Sequence, residues 1–153
     1  MPTPELIPIA YQPDYHTDTI GAHAEGLFFG GVCRGWPVAA FEEMGKWPWR
    51  DERGEPIPGP WFAILHLFDQ DGRHLSSEIS PFTDDTEADQ ALRRMVARLR
   101  DMEYGDIAIR PFRVDAHDCV FGLIDETDRA DGYVEYYPNH IGFYEPWDGS
   151  YDT

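Results

Sequence analysis

The sequence predicts an α+β fold: a single domain over residues 1–153, built as an antiparallel β-meander of about six strands with one long amphipathic helix packed on one face. Three observations predict it. The apolar runs are short and joined by short polar links, which makes neighbouring strands pair antiparallel. One stretch, residues 84–103, repeats apolar residues at helical spacing. The 153 residues are 42% hydrophobic and 14% aromatic, enough to close one core despite the charge.

Residues 1–25 read as an extended arm, because Pro2, Pro4, Pro8 and Pro13 deny it a regular helix. Leu27-Phe28-Phe29 through Val32-Cys33 is an apolar run between glycines, hence a strand. Residues 36–60 carry Pro37, Pro48, Pro56, Pro58 and Pro60 with Trp36, Trp47 and Trp49, and read as a long ordered loop folded onto the core. Trp61 to Phe68 and Arg73 to Ser80 form a hairpin across the turn Asp69-Gln70-Asp71-Gly72.

In residues 84–103, Ala88, Ala91, Leu92, Met95, Val96, Leu99 and Met102 fall on one stripe. Asp84, Asp85, Glu87 and Asp89 lead, and Arg93, Arg94, Arg98 and Arg100 follow, the order a helix dipole favours. Thr83 or Asp84 is the expected cap and Gly105 the expected stop. Strands follow at Ile107–Val114, Cys119–Asp125, Tyr133–Tyr137 and Ile141–Tyr144.

With 29 acidic against 12 basic residues, the formal charge is -17. That charge argues against direct nucleic-acid binding, which needs a basic footprint, and against docking on anionic lipid. No apolar run approaches the roughly 18 residues of a spanning helix, and no basic segment precedes Arg34, so a cytoplasmic location is expected. Two cysteines, Cys33 and Cys119, are too few for a disulfide scaffold. The acids concentrate at the end of the chain: residues 114–153 hold ten of them against one arginine.

Candidate chemistry is sparse. His117 and Cys119 would share a face on a strand and bring a thiol to an imidazole, but no third group orients them. Asp14, His16, Asp18, His23 and Glu25 offer oxygen and nitrogen donors at no established metal spacing. Asp69-Gln70-Asp71-Gly72 looks like part of a calcium loop, but aligning its glycine puts Leu67 at the first ligand position. No metal, cofactor or catalytic residue is expected. The acid-rich link Asp125-Glu126-Thr127-Asp128-Arg129-Ala130-Asp131-Gly132 reads either as a solvated loop or as a partner surface. Tyr133, Tyr136, Tyr137, Phe143, Tyr144, Trp147 and Tyr151 crowd the last 21 residues, and alternation sends some inward and others outward.

Three stretches carry a resemblance: Tyr104-Gly105-Asp106-Ile107-Ala108-Ile109-Arg110-Pro111-Phe112, Phe121-Gly122-Leu123-Ile124, and Tyr137-Pro138-Asn139 through Gly142-Phe143 to Pro146-Trp147-Asp148-Gly149-Ser150-Tyr151-Asp152-Thr153. Pro4-Glu5-Leu6-Ile7-Pro8-Ile9-Ala10-Tyr11 and Thr17-Asp18-Thr19-Ile20-Gly21 fit it as well. Together they resemble the small bacterial proteins called formate hydrogenlyase regulatory protein HycA. The resemblance implies a regulatory role and brings no catalytic residues.

The expected function is that of a non-catalytic, acidic protein-binding module, foremost an immunity-type inhibitor that neutralises a basic partner such as a toxin. In that reading Asp125, Asp128 and Asp131 steer the partner, and Tyr133, Tyr136, Tyr137, Tyr144 and Trp147 anchor it. The alternatives are a HycA-like regulator that sequesters a transcription activator, and a small enzyme using a carboxylate pair or His117 with Cys119.

Overall fold

The structure, a computed structural model, describes residues 3–35, 49–55, 57, 59–126 and 132–153. Its described residues form one small α+β domain of antiparallel sheets with one helix.

The apolar runs set the layers. In β3 (Gly26–Arg34) and β4 (Trp61–Phe68) almost every residue is apolar, because both faces of this sheet are covered. Phe28, Ala63 and Leu65 point to the helix α1 (Asp85–Ala97) and pack on Ala88, Ala91, Leu92, Met95 and Val96. Their neighbours Phe29, Phe62, Ile64 and Phe68 point the other way, onto a second sheet. The first sheet runs β5 (His74–Phe82), β4, β3, β2 (Ile20–His23), β6 (Glu103–Tyr104). The second runs β11 (Ile141–Tyr144), β10 (Tyr133–Tyr137), β9 (Cys119–Asp125), β8 (Phe112–Ala116). A two-stranded ribbon, β1 (Ile7–Ile9) with β7 (Ile107–Ile109), adds its four isoleucines to the core between the sheets.

Three expectations change. The N-terminal segment is no mere arm: it supplies β1 and β2, with Ile7, Ile9 and Ile20 wholly buried. Pro8 is tolerated because β1 pairs on one side only, in the ribbon. The run Ile107–Val114 is broken at Arg110-Pro111, where the missing proline N–H lets the chain leave the ribbon and enter the second sheet. The helix, capped as expected by Asp84, whose carboxylate accepts from Thr86 N–H at 2.7 Å, ends at Ala97 instead of running toward Gly105. Leu99 N–H turns back to Val96 O and Asp101 takes a left-handed φ of 54°. Leu99 and Met102 still pack on the helix cluster from this turn, so the apolar stripe outlasts the helix.

Most of the expected loop 36–60 lies outside the described residues. Its ends meet, Gly35 N–H donating to Pro60 O at 3.0 Å, and Trp49 packs on the cluster of Cys33, Phe62 and Phe121.

Candidate binding face

Alternation along β10 divides its residues. Val134 and Tyr136 face the core, and Tyr133, Glu135 and Tyr137 face outward. Register sets their neighbours: Tyr133 lies opposite Tyr144, Glu135 between Gly142 and Ile124, and Tyr137 opposite Gly122. The helix and the first sheet lie on the other side of these strands.

The glycines make room for the rings. A Cβ on Gly142 would stand 2.2 Å from the Tyr133 hydroxyl, so the Tyr133 ring lies where a side chain would have been. From there it stacks on Tyr144, centroids 6.5 Å apart and planes within 19°. Its hydroxyl donates to Glu135 Oε1 at 2.9 Å, and His140 Nδ1 meets Glu135 Oε2 at 3.0 Å. Tyr137 donates to Glu126 Oε1 at 2.5 Å and sets its ring edge-to-face against His140.

Electrostatics follow from this packing. Burial pushes the Glu135 carboxyl up, but hydrogen bonds from His140, Tyr133 and Tyr137 outweigh it and hold the group below its ordinary value. Tyr137 is pushed up by burial and by the two glutamates it touches. The hydrogen bond to Asp152 raises Tyr144, which is 41% exposed. The face therefore joins three tyrosines to the carboxylates of Glu126, Glu135 and Asp152 through hydrogen bonds.

The residues expected to bind a partner divide. Tyr133, Tyr137 and Tyr144 come together on this face. Tyr136 does not: it is 2% exposed and stacks on Phe29 at 4.2 Å, a core side chain with no surface to offer. Trp147 also turns inward, half-buried against the cluster that holds Ile141 and Phe143, and its indole N–H is buried without a partner among the described residues. Asp125 is exposed at the end of β9, but it alternates with Leu123 and so sits on the core-facing side of the strand, at its rim. Asp128 and Asp131 lie outside the described residues. Glu135, His140 and Asp152 join the three tyrosines without having been expected there, and Glu126 joins them from the acid-rich link read as a possible partner surface. The signal for Glu135 was its place between two tyrosines at strand period, which puts all three on one side.

The catalytic alternative fares differently. His117 and Cys119 do not share a strand face: His117 and Asp118 form the turn between β8 and β9, both with positive φ. His117 Nε2 meets Ile79 O at 3.3 Å, and Cys119 is buried with Cys33 in one apolar cluster. Burial, with a smaller effect of Cys119, pushes the Cys33 thiol far up, so it stays protonated at neutral pH.

A second polar group lies inside the sandwich. Ser77 Oγ bridges His66 Nδ1 at 2.6 Å and His74 Nε2 at 2.7 Å. The hydroxyl has one proton for two rings, so one imidazole must donate to it. Phe112 stacks on His74 at 4.7 Å and meets His66 edge-on at 4.8 Å, shielding the trio. Burial, then the charge of His74, lowers His66 to about 3. This is a neutral hydrogen-bonded tie between β4 and β5.

Among the described residues no group of three or more His, Cys, Asp or Glu is placed to hold a metal ion, and no helix is long and apolar enough to cross a membrane. No family model, curated protein or solved structure matches the chain.

Proposed function

We propose that the protein is a non-catalytic, cytoplasmic binding module that covers a basic surface of another protein, in the manner of an immunity-type inhibitor. The observation that carries this reading is the sharing of one sheet face by Tyr133, Tyr137 and Tyr144 with Glu126, Glu135 and Asp152. Tyrosines supply broad contact area with a polar tip, and their ordering is already complete before the partner arrives. A chain of charge -17 speeds encounter with a basic partner, and desolvated rings slow its release.

The test is retention of proteins from the native cell on the immobilised chain, run in parallel with Tyr144→Ala and Glu126→Gln. The reading expects a basic protein that the wild type holds, that both variants hold less well, and that rising salt releases. Retention indifferent to both substitutions contradicts it. The resemblance of the Tyr104–Phe112 and Tyr137–Thr153 stretches to HycA-like proteins favours a second reading, in which the covered protein is a transcription activator. Identification of the retained protein as a toxin or as a DNA-binding activator decides between them.

A further inference from the structure

A groove of about 320 Å³ runs between β5, the last strand of the first sheet, and the C-terminal end of α1. Leu65, Leu67, Met95 and Leu99 wall it, and Ser77, Glu78 and Arg98 border it. It lies on the helix side of the first sheet, away from the tyrosine face. We infer that it docks an extended segment of a partner protein, which adds a short strand to β5 and inserts one large apolar side chain between β5 and α1.

The backbone of β5 is open on its outer side. Gly30 N–H donates to Thr19 O at 2.8 Å, so Gly30 turns its polar groups away from β4, and Gly31 turns its own toward Ile64. Alternation then sends the groups of Leu65 to Glu78 and leaves those of Ser77 and Ile79 on the outer side of β5. No strand pairs there among the described residues. The Ser77 hydroxyl is held on the opposite face, at His66, so Ser77 borders the groove through its main chain. His117 Nε2 sits 3.3 Å from Ile79 O, which leaves Ser77 N–H, Ser77 C=O and Ile79 N–H for an incoming strand. A second β5 does not fit this edge. Pro81 lacks an N–H in the same outward set, and the register slips between Leu67 and Phe68 at the other end. The short open stretch between them suits a short peptide strand.

Alternation also fixes where the side chains of such a strand go. A residue opposite Ser77 turns its side chain to the far face, and the residues beside it turn theirs into the groove. There Leu65 and Met95 are buried and Leu67 and Leu99 half-buried, an apolar slot for one leucine- or phenylalanine-sized group. Charge selects what accompanies it. Glu78 pairs with Arg98 across the rim, whereas Arg94, one turn earlier on the same side of α1, makes no ion pair among the described residues. Two arginines against one glutamate make this rim positive in a chain of charge -17. It fits a segment with a carboxylate two residues from the apolar group, on the same side of the strand.

The experiment is fluorescence anisotropy of labelled, Thr-rich octapeptides with the full chain at about 150 mM salt, where loose attraction is largely screened. The peptides carry a central Leu or Ala, flanked two residues away on both sides by Asp or by Lys. The peptide with Leu and Asp should bind saturably, and Ala for Leu or Lys for Asp should each weaken it by about tenfold. Arg94→Glu, at an exposed position, should reverse the preference for Asp over Lys. Methylation of the peptide nitrogen on the residue that faces Ser77, next to Leu, should abolish binding. Methylation of the Leu nitrogen, which points away from β5, should spare it. Equal binding of the Leu and Ala peptides, an unchanged preference in Arg94→Glu, or indifference to methylation overturns the inference. So does a dimer of the free chain in which the Ser77 amide is protected from exchange, which gives the edge to a second copy.

Discussion

Tyr133 and Glu135 stand on the same side of β10, and the Tyr133 hydroxyl donates to Glu135 Oε1 at 2.9 Å. A carboxylate that is 7% exposed is thereby kept ionised on a sheet face, among rings, instead of swinging free in water. Removing that donor should be felt in two ways. Tyr133→Phe should lower stability by about 1.5 kcal/mol in urea unfolding, as expected for a hydrogen bond to a charged acceptor. It should also raise the Glu135 pKa, measured by carboxyl resonance titration. Glu135 is depressed in the fold, so its contribution to stability is present above its unfolded pKa and fades as pH falls through the folded one. The variant, with its folded pKa closer to the unfolded one, should lose less stability over that interval and complete the loss at higher pH.

Gly142→Ala tests the packing beneath the same pair. The new Cβ would stand 2.2 Å from the Tyr133 hydroxyl and 2.7 Å from its ring, so the ring must move off Tyr144 and away from Glu135. A loss of about 2 kcal/mol is expected, typical of overpacking at a closed contact. Thermal unfolding measures the loss, and the Tyr133–Tyr144 cross-peaks in a nuclear Overhauser spectrum should weaken with it.

His66 sets an acid limit on the fold. Its folded pKa lies at about 3, and its ordinary value is 6.5. Between these values the unfolded chain holds a proton that the folded chain refuses, so stability falls as pH falls, by up to about 1.4 kcal/mol per unit. His66→Phe should flatten this slope. Urea unfolding of both proteins at several values between pH 7 and pH 4 checks it.

The tyrosines that alternation turns in and out should separate by experiment. Tyr144→Ala should weaken partner binding by about tenfold with little change in stability, since its ring is partly exposed at the sheet edge. Tyr136→Phe should leave affinity unchanged, because that ring is packed on Phe29. Equal effects of the two on affinity would deny that the outer side of β10 is the contact surface.

Much of this architecture was legible in the residues. The hairpin across Asp69–Gly72, the strands at Cys119–Asp125, Tyr133–Tyr137 and Ile141–Tyr144, and the Asp84 cap all follow from local rules of turn chemistry, period and capping. What escaped was set by distant partners. Ile7 and Ile9 pair with Ile109 and Ile107 across a hundred residues, which no local pattern announces beside so many prolines. The helix end was hidden because Leu99 and Met102 keep the stripe going after the backbone has turned. Period alone separates Tyr136 from Tyr133 and Tyr137, but which set faces the core depends on the sheet that Phe29 brings against it. Trp147 was placed with the outward rings because its half-buried seat against the core lies past Tyr144, beyond any strand period.

The central claim is that an acidic tyrosine face binds a basic partner. Its most direct test is the dissociation constant of the retained partner, measured at low and high salt for the wild type and for Tyr144→Ala combined with Glu126→Gln. The account predicts tight wild-type binding at low salt, weakening as salt rises, and a double variant weakened at low salt with a shallower salt dependence. A double variant that matches the wild type at both salt concentrations contradicts it.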